Sequence, residues 1–598
     1  MRAIAAPRET RLEESNYWTR LNRRRISRRA LLGAGATTAL GAAAAAVVGC
    51  GGGGDGGWPH TSATPFDGVE GNPIPGGSVT YGRLLNVLGI DPHIDLTGID
   101  IDLLLYSYLY SWTPSTESAV FNNFAESVEM PSEDHTEFIF ALRRGVKIQP
   151  QDDNPAKGEE LTSEDCKQSF IRRGTAITAP DRRFPLRISG TLNPDATALG
   201  SALLTPDPYT FSFKMSKPFV PAFREMSNPT WAIVPAKVIE KFGQAFSAES
   251  LGQKAFGSGP FMLNEFRGTE RIILKRHPEY FLAPRPWLDE MRYIIISEPQ
   301  SLLAAFDSGQ HDVNGAILNK AQAEDRMKKD DFIIGKVPTR FYPVVHFKIR
   351  PPFDDIRVRE AFDLALDRDE MISLIWDGEG NYNGPVQWLM ARFSLPQDEL
   401  RSAMPHDPEK ARQLLSAAGY ENIEVKMKIP RVPGAPIIAD LSSLIKDQLA
   451  KVGINVLLDE VEIGTFIANV ILPGNFDLAF FPNLPYDEPD RPLSFYHTRG
   501  VTGVGNWNNY TNPQLDKLID AQESEFDETK RIAIILEAQR MILKEHGPQI
   551  TLPGGNFYGA RWSYVHHPYQ FFLDLGEGDI PPEQIGPPGS DSWTEKAP

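Results

Sequence analysis

The chain has almost no cysteine. Its 598 residues contain only Cys50 and Cys166, which excludes a fold held together by several disulfides. Motifs for metal or nucleotide binding are missing as well, since there is no His-Glu-x-x-His and no glycine-rich segment ending in Gly-Lys-Ser or Gly-Lys-Thr. The eleven histidines are scattered apart from His566 and His567, and such a pair is more typical of a solvated turn than of a metal site. We therefore expect no metal and no cofactor.

Positive charge is scarce outside the N-terminus. Lysine and arginine number 61 against 78 aspartates and glutamates, and the formal net charge is -17. Nine of the arginines lie within the first 49 residues, so the rest of the chain is more acidic than the average suggests. Because phosphate binding needs a basic surface, the composition argues against nucleic acid as a partner.

A long run of strongly apolar residues is also missing. Residues 30–49 are apolar but consist largely of Ala, Gly and Thr, which makes them a poor membrane-spanning helix. They follow an arginine-rich stretch, and a basic region, a short apolar region and small residues in this order are typical of a signal peptide. Within the stretch, residues 27–32 read Ser-Arg-Arg-Ala-Leu-Leu and resemble the twin-arginine export motif. We predict that residues 1–49 are a signal peptide rather than a transmembrane anchor.

The end of this segment predicts a lipid anchor. Residues 47–50 read Val-Val-Gly-Cys and resemble a bacterial lipobox, in which Cys50 is acylated and becomes the first mature residue; cleavage without lipidation is the alternative. Residues 51–57 are rich in glycine, which suits a flexible tether over residues 50–75. We expect an exported lipoprotein that is attached to a membrane and faces the periplasm or the cell exterior.

Short β-branched runs and amphipathic stretches alternate from residue 76 onward. Residues 271–275 and 291–296 predict strands. Asp355 predicts the start of a helix whose apolar residues recur at helical spacing as far as Ile372.

The same alternation continues further along the chain. Asp407 followed by Pro408 predicts the start of a helix that ends at Gly419. A helix over residues 438–452 and a strand over residues 454–458 come next. The pattern as a whole indicates an α/β architecture.

Short blocks in a fixed order carry a family resemblance. Each block is weak by itself, but eleven of them follow one another in register. They are residues 91–93, 105–110, 124–127, 140–147, 161–166, 207–211, 257–261, 302–313, 352–361, 407–411 and 506–513. On these blocks, residues 76 to about 565 resemble the solute-binding proteins of ABC importers, in the class that serves peptides, nickel complexes and related solutes (bacterial solute-binding protein family 5).

The resemblance implies a two-lobed fold of the type II periplasmic-binding-protein kind, with the ligand cleft between the lobes. Hinge closure around the solute would let the importer distinguish loaded from empty protein. We expect the chain to cross between the lobes near residues 312–317 and 551–557. The expected domains are the first lobe at 76–312 with an extra subdomain at about 111–200, the second lobe at 313–554, and a C-terminal return and tail at 555–598.

The resemblance further implies a binding protein rather than an enzyme. Such a protein captures a peptide-like or other polar solute and delivers it to the permease subunits of an importer, and we expect it to be a monomer. A sensor without a transport role and a nickel- or metal-chelate-binding member are alternatives within the family. An enzyme would use Ser443 and Lys446, which have the Ser-x-x-Lys spacing of penicillin-interacting enzymes, but the accompanying motifs are missing. Cys166 stands where the family places an apolar helix residue, so we expect a buried, inert thiol.

Candidate ligand-binding residues also follow from the resemblance. Peptide-binding relatives hold the ligand's amino group with an Asp, and Pro485 takes that position here, before the pocket candidate Tyr486. Asp487 would meet a cationic ligand, or belongs to a solvated acidic loop. Arg431 matches the region where dipeptide-binding relatives place an Arg that clamps a carboxylate with its planar fork; a surface Arg after a strand is the alternative. Three tryptophans near segments that line the cleft in the family are either pocket or core residues: Trp112, Trp388 and Trp507.

These residues predict the chemistry of the solute. Without an Asp at position 485, a buried ammonium group would lack its counter-charge, which is costly. We therefore expect a solute with an acidic or strongly hydrogen-bond-accepting group and no obligatory free amine, such as a capped peptide, a metal chelate or a glycoside-like solute.

Overall fold

The computed structural model describes residues 73–95, 97–113, 118–120, 123–176, 183–190, 195–243, 254–339, 342–432, 436–482, 488–500, 506–566 and 592–595. The predicted signal peptide, Cys50 and the tether as far as residue 72 lie outside these residues, as do Pro485, Tyr486 and Asp487. Within the described ranges, none of the helices combines the length and the apolar character that crossing a bilayer requires.

The strands of the described residues are β1 (Ser78–Arg83), β2 (Ser111–Thr113), β3 (Ser118–Val120), β4 (Ala125–Glu129), β5 (Glu137–Leu142), β6 (Leu203–Asp207), β7 (Thr210–Lys214), β8 (Phe261–Arg267), β9 (Arg271–Arg276), β10 (Glu290–Ile295), β11 (Val313–Leu318), β12 (Phe332–Pro338), β13 (Val344–Phe347), β14 (Gly380–Asn381), β15 (Ile423–Arg431), β16 (Ile454–Glu462), β17 (Leu478–Phe480), β18 (Gln549–Thr551), β19 (Gly554–Trp562), β20 (Val565–His566) and β21 (Trp593–Thr594).

The α-helices of the same ranges are α1 (Ile99–Leu105), α2 (Ser163–Thr175), α3 (Arg183–Ser189), α4 (Ala196–Ala202), α5 (Ala222–Met226), α6 (Ala236–Phe242), α7 (Pro299–Asp307), α8 (Lys320–Arg326), α9 (Ile356–Leu364), α10 (Arg368–Ile375), α11 (Gln397–Ala403), α12 (Pro408–Ala418), α13 (Pro436–Ala450), α14 (Ile463–Phe466), α15 (Asp490–Ser494), α16 (Pro513–Ser524) and α17 (Glu528–Lys544). A 3₁₀ turn covers Pro229–Trp231 and a π-helical turn covers Ile467–Ile471.

Most strands belong to two mixed sheets, which organise the two lobes. The first sheet has the strand order β12-β19-β11-β1-β10-β9-β8, and the short strand β14 also pairs with β19. The second sheet has the order β16-β15-β17-β13-β18. Each sheet is packed into its own large apolar cluster. Two separate cores of this kind, each with strands and helices in alternation, confirm the α/β architecture.

The first lobe carries an extra antiparallel sheet of order β4-β5-β7-β6, covered by α2, α3 and α4. Its inward side is built from aromatic rings, with the rings of Phe138 and Phe213 stacked 5.1 Å apart and that of Phe170 lying 4.9 Å from Trp231. These residues share one continuous apolar cluster with Val79 of β1. The extra sheet is therefore part of the first lobe.

The chain passes between the two sheets at positions that differ partly from our expectation. Residues 312–317 do not cross: Val313 pairs with Tyr81 of β1 and with Arg561 of β19, inside the first sheet. The passage comes after Pro338, the end of β12, and leads to Val344 in the second sheet. Because β11, α8 and β12 form a parallel β-α-β unit, the second lobe starts later than sequence blocks alone suggested. The return lies at residues 552–553, between β18 and β19.

Local signals act largely as the sequence predicts. The strands expected at residues 271–275 and 291–296 are β9 and β10. Asp407 caps α12 by accepting a hydrogen bond from the backbone N–H of Lys410 at 2.9 Å, and Gly419 ends the helix with a positive φ of 83°. A positive φ of this size favours glycine because glycine has no Cβ.

The helix expected from Asp355 to Ile372 is instead two helices, α9 and α10. The first ends at Leu364, and Asp367 caps the second by accepting from the N–H of Glu370 at 2.9 Å. Gln448 of α13 holds the break, because its side chain accepts from the N–H of Asp367 at 3.0 Å and donates to the Asp367 carbonyl at 3.2 Å. A contact with a distant helix thus decides where the helix divides.

Candidate functional site: the cleft between the lobes

Strand directions show which edge of the second sheet faces the first lobe. β15 runs parallel to β16 and β17, and β13 is antiparallel to β17 and β18. The carboxyl ends of β15, β16, β17 and β18 therefore lie at one edge, where both connections between the lobes also leave the sheet. In open α/β sheets, ligands bind beyond the carboxyl ends of the strands.

The first sheet presents the matching edge. β1 is parallel to β10 and β11, and β19 is antiparallel to both β11 and β12. The carboxyl ends of β1, β10, β11 and β12 therefore lie where the chain departs for the second sheet. In the loop after β1, Leu85 and Leu88 have 41% and 66% of their surface exposed, so this edge offers apolar side chains to a solute.

Side-chain and backbone contacts keep the lobes close together at the two connections. The indole N–H of Trp376 donates to the Pro553 carbonyl at 3.2 Å, and its ring lies against Phe557 with centroids 5.6 Å apart. A Cβ on Gly555 would come within 2.5 Å of that indole, so the approach requires glycine. Thr339 on the outgoing connection donates its N–H to the Gly555 carbonyl at 2.8 Å. The outgoing connection is thus bonded to the start of β19, and the return connection is bonded to Trp376 of the second lobe.

Glu379, which follows α10 of the second lobe, binds three groups of the first lobe. Lys320 and Lys336 lie 2.9 and 2.8 Å from its carboxylate, and the hydroxyl of Tyr558 donates to it at 2.6 Å. Burial alone would raise the pKa of Glu379, but the hydrogen bonds from Lys336, Tyr558 and Lys320 lower it to about 2. The carboxylate is therefore ionised at neutral pH and joins the lobes at the hinge.

Arg431 is the last residue of β15 and lies at the cleft edge of the second sheet. Its register partner on β16 is Glu462, whose carboxylate already accepts the N–H groups of Gly464 and Thr465, both at 2.9 Å, at the start of α14. Those backbone hydrogen bonds lower the pKa of Glu462. Arg431 itself is exposed, and its positive charge also contributes to lowering the pKa of Glu462. An exposed guanidinium at this edge can be reached by an anionic ligand.

The three tryptophan candidates have different surroundings. Trp388 is partly exposed, and its backbone N–H donates to the side-chain oxygen of Asn383 at 3.2 Å. The side-chain amide of Asn383 in turn donates to the carbonyl of Leu552 at 2.9 Å, in the connection between the lobes. Trp507 is partly buried against Phe495, with ring centroids 5.3 Å apart. Trp112 lies on β2, where the structure describes only the backbone.

A small crevice lies within the second lobe and does not include Arg431. Its charged side chains are engaged inside the lobe: Asp363 pairs with Arg368 and lies 3.4 Å from the ring nitrogen of His546. Arg359 donates to the carbonyls of His546 and Phe353 at 2.6 and 2.7 Å. The crevice therefore offers few free charges to a solute, and the cleft edge remains the better candidate site.

Other sequence candidates are resolved by their surroundings. Cys166 is a free thiol that is fully buried, as expected, and burial raises its pKa well above the usual value; its inertness stays a prediction. Ser443 and Lys446 are both exposed on α13.

His566 lies 3.1 Å from a Glu595 oxygen, and His567 lies outside the described residues. Among those residues, no group of three or more side chains is arranged to hold a metal ion.

A second contact between the lobes involves residues that the sequence did not single out. Glu523, near the end of α16, is completely buried and pairs with Arg187 of α3 in the extra subdomain and with Arg499 of its own lobe. The N–H of Val220 donates to the Glu523 carbonyl at 2.7 Å. Phe526 packs on the apolar cluster of the first lobe, with its ring 4.6 Å from that of His135.

Comparison with known proteins identifies the family. The family described as bacterial extracellular solute-binding proteins, family 5 (middle), matches residues 119–506. The chain belongs to this family. As a family 5 protein it binds a solute outside the cytoplasm and is not an enzyme.

Several characterised proteins resemble this family 5 chain over most of its length. A di/tripeptide-binding protein of Pseudomonas aeruginosa is 25% identical over 509 residues, which cover 80% of this chain and 89% of the relative. The dipeptide-binding protein of Escherichia coli is 23% identical over 483 residues, 78% of this chain and 86% of the relative.

Solved structures show the same fold. DppA of Helicobacter pylori, in complex with the peptide STSA, has a TM-score of 0.72 at 19% identity and covers 88% of this chain and 99% of its own. MoaA of A. tumefaciens R10, in complex with mannopinic acid, has a TM-score of 0.71 at 19% identity over 87% of this chain and 99% of its own. The expected two-lobed, type II fold is thereby confirmed.

Proposed function

We propose that this protein is the receptor of an ABC-type importer, which captures a peptide-like or other organic acid solute in the cleft and delivers it to the permease. The observation that carries the proposal is the exposed guanidinium of Arg431 at the carboxyl end of β15, in a chain of the solute-binding family. An exposed Arg at the ligand edge suits bidentate recognition of a carboxylate.

The names of the relatives support this class of solute. The similar proteins are called dipeptide- and di/tripeptide-binding proteins, and two structural neighbours hold mannopinic and agropinic acid. The planar guanidinium of Arg431 can pair with the carboxylate of a peptide or of another organic acid. The exposed Leu85 and Leu88 on the opposite edge would contact apolar parts of the solute.

Pro485 favours solutes that do not depend on a free amino group. Tyr486 and Asp487, together with Trp112, Trp388 and Trp507, remain candidates for further contacts. A nickel- or metal-chelate-binding protein and a sensor without a transport role are the alternatives, and the first of these would also use Arg431 if the chelator carried carboxylates.

The division into lobes belongs to the same proposal. The first lobe comprises residues 76–338 and 554–566 with the extra subdomain, and the second comprises residues 344–551. Solute binding closes the cleft about the two connections, at residues 339–343 and 552–553. The mature protein acts as a monomer, held at the membrane by a lipid on Cys50 and the tether up to residue 75.

A binding panel tests the proposal. The purified protein is titrated by calorimetry with free dipeptides, N-acetylated dipeptides, mannopinic acid and a nickel chelate. Saturable binding of acids that carry no free amine supports the proposal, and preferential binding of the nickel chelate supports the alternative. Failure of every carboxylate-bearing solute, while mass spectrometry finds a neutral solute in the purified protein, would contradict the role of Arg431.

A further inference from the structure

The contact around Glu523 is the second place at which the two lobes touch, and it differs in kind from the hinge. At the hinge, the chain itself joins the lobes. At Glu523, residues separated by 336 positions meet through side chains, since Arg187 and Glu523 belong to different lobes. A contact of this kind exists only while the lobes are close together.

Each partner is fixed to its own lobe. The carbonyl of Arg187 accepts the N–H of Ser216 at 2.6 Å, and its neighbours Phe184 and Ile188 lie in the first-lobe core. On the other side, α16 is held by Leu515 and Ile519 in an apolar cluster of the second lobe. Opening of the cleft therefore separates the guanidinium of Arg187 from the carboxylate of Glu523.

The second lobe prepares Glu523 for this contact. Arg499 pairs with Glu523 and also donates to Asp520 at 2.6 Å. Arg499 thus holds the carboxylate in place whether or not Arg187 is present. Because the Glu523 carboxylate is already held in place, it loses little conformational entropy when Arg187 of the first lobe binds to it.

The surroundings of the pair are dry and partly apolar. Glu523 has none of its side-chain surface exposed and Arg187 only 6%, and the guanidinium of Arg187 lies 5.4 Å from the ring centre of Phe219. The Ser524 hydroxyl donates to the Pro218 carbonyl at 3.2 Å, beside the hydrogen bond from Val220 and the apolar contact of Phe526. Charged hydrogen bonds are stronger where water is excluded, so the contact favours the closed form.

We propose that Arg187 and Glu523 form a latch, which holds the cleft closed and sets the fraction of closed protein before any solute binds. The proposal rests on the proposed function, because the closed form is taken to be the form that retains the solute. The apparent affinity for a solute scales with the fraction of protein that is in the competent conformation. The latch therefore tunes affinity without touching the solute.

Two matched variants test the latch in the full-length protein without solute. Arg187→Gln removes the partner in the first lobe, whereas Arg412→Gln removes a charge of the same kind from an exposed pair with Glu409 within the second lobe. Small-angle scattering of the solute-free proteins should give a larger radius of gyration for Arg187→Gln than for wild type and Arg412→Gln. Arg187→Lys, which keeps the charge but loses the planar fork, is the fallback if Arg187→Gln does not fold, and should open partially.

A solute measurement completes the test. For any acid found in the binding panel, Arg187→Gln should weaken binding by about tenfold or more, with faster dissociation, while scattering at saturation returns to the wild-type value. Equal radii for all solute-free proteins, or an equal increase in both glutamine variants, would overturn the latch. Because the scattering experiment contains no solute, its outcome does not depend on whether the panel identifies one.

Discussion

The phenolic hydroxyl of Tyr558 donates a 2.6 Å hydrogen bond to Glu379, and so joins the strand that returns to the first sheet with the segment that follows α10. Lys320 and Lys336 complete the binding of the same carboxylate. At the hinge, the negative charge of Glu379 from the second lobe is thus bound by two lysines and a tyrosine of the first lobe.

Glu379→Gln should therefore lower the stability of the protein. The variant loses two ion pairs but keeps a hydrogen-bond acceptor, so we expect a loss of about 1–2 kcal/mol in the free energy of unfolding at pH 7, measured by urea denaturation. Asp325→Asn on α8, an exposed carboxylate 3.8 Å from Lys328, is the control and should be nearly neutral.

The pH dependence of this loss has a definite sign. The pKa of Glu379 is lowered in the folded protein to about 2 from an ordinary value of 4.5, so its contribution is fully present above pH 4.5 and is lost as the pH falls towards 2. The difference between wild type and Glu379→Gln should shrink over that window. A difference that stays constant down to pH 2 would show that the carboxylate's charge is not what stabilises the hinge.

Asp91→Asn should destabilise the first lobe strongly. Asp91 and Arg172 are both almost fully buried, with a nitrogen-to-oxygen distance of 2.7 Å, and Arg172 also contacts the ring of His93 at 2.7 Å. Removing the negative partner leaves a guanidinium in a dry site, which costs about 3 kcal/mol or more. Thermal unfolding measures the loss, and Asp289→Asn, at an exposed pair 3.8 Å from Arg276, should have little effect. Similar melting temperatures for the two variants would contradict a buried, charged pair.

Arg431→Ala should impair binding but not folding. Once a solute covers the guanidinium, loss of the charged pair should weaken binding of a carboxylate-bearing solute by about 2–5 kcal/mol, as measured by calorimetry. Stability should change by less than about 0.5 kcal/mol, since the side chain is exposed. Arg412→Ala on α12, where Arg412 pairs with Glu409, is the matched control. Unchanged affinity in Arg431→Ala would remove this residue from the site.

Cys50→Ala should release the protein from the membrane. The lipobox prediction makes Cys50 the only attachment point, so the variant should move to the soluble fraction and lose its labelling by a radioactive fatty acid. Replacing Arg28 and Arg29 by Lys should block export by the twin-arginine route and leave precursor in the cytoplasm. A wild-type protein that is soluble and unlabelled would refute the anchor.

Much of the fold could be predicted from local sequence. The Asp407-Pro408 start and the Gly419 end of α12 are chemical signals within a few residues, because a cap needs only a side-chain oxygen and a free N–H. Motif blocks in a fixed order likewise indicated the family, and with it the two-lobed fold. Arg431 was singled out by the same family resemblance, and its role in binding stays a prediction.

The tertiary structure decided what depends on residues far apart in the chain. Local sequence does not show that β11 and β12 stay with the first sheet, because that choice depends on pairing with β19, more than 200 residues later. Nor does it show that Glu379 meets Lys336, or that Glu523 meets Arg187. By itself, the sequence determined most of the elements, several of their caps and the class of protein, because those signals are local or repeated along the chain. Where the lobes divide and how they hold each other were decided by burial and charge pairing between distant segments, which only the folded chain brings together.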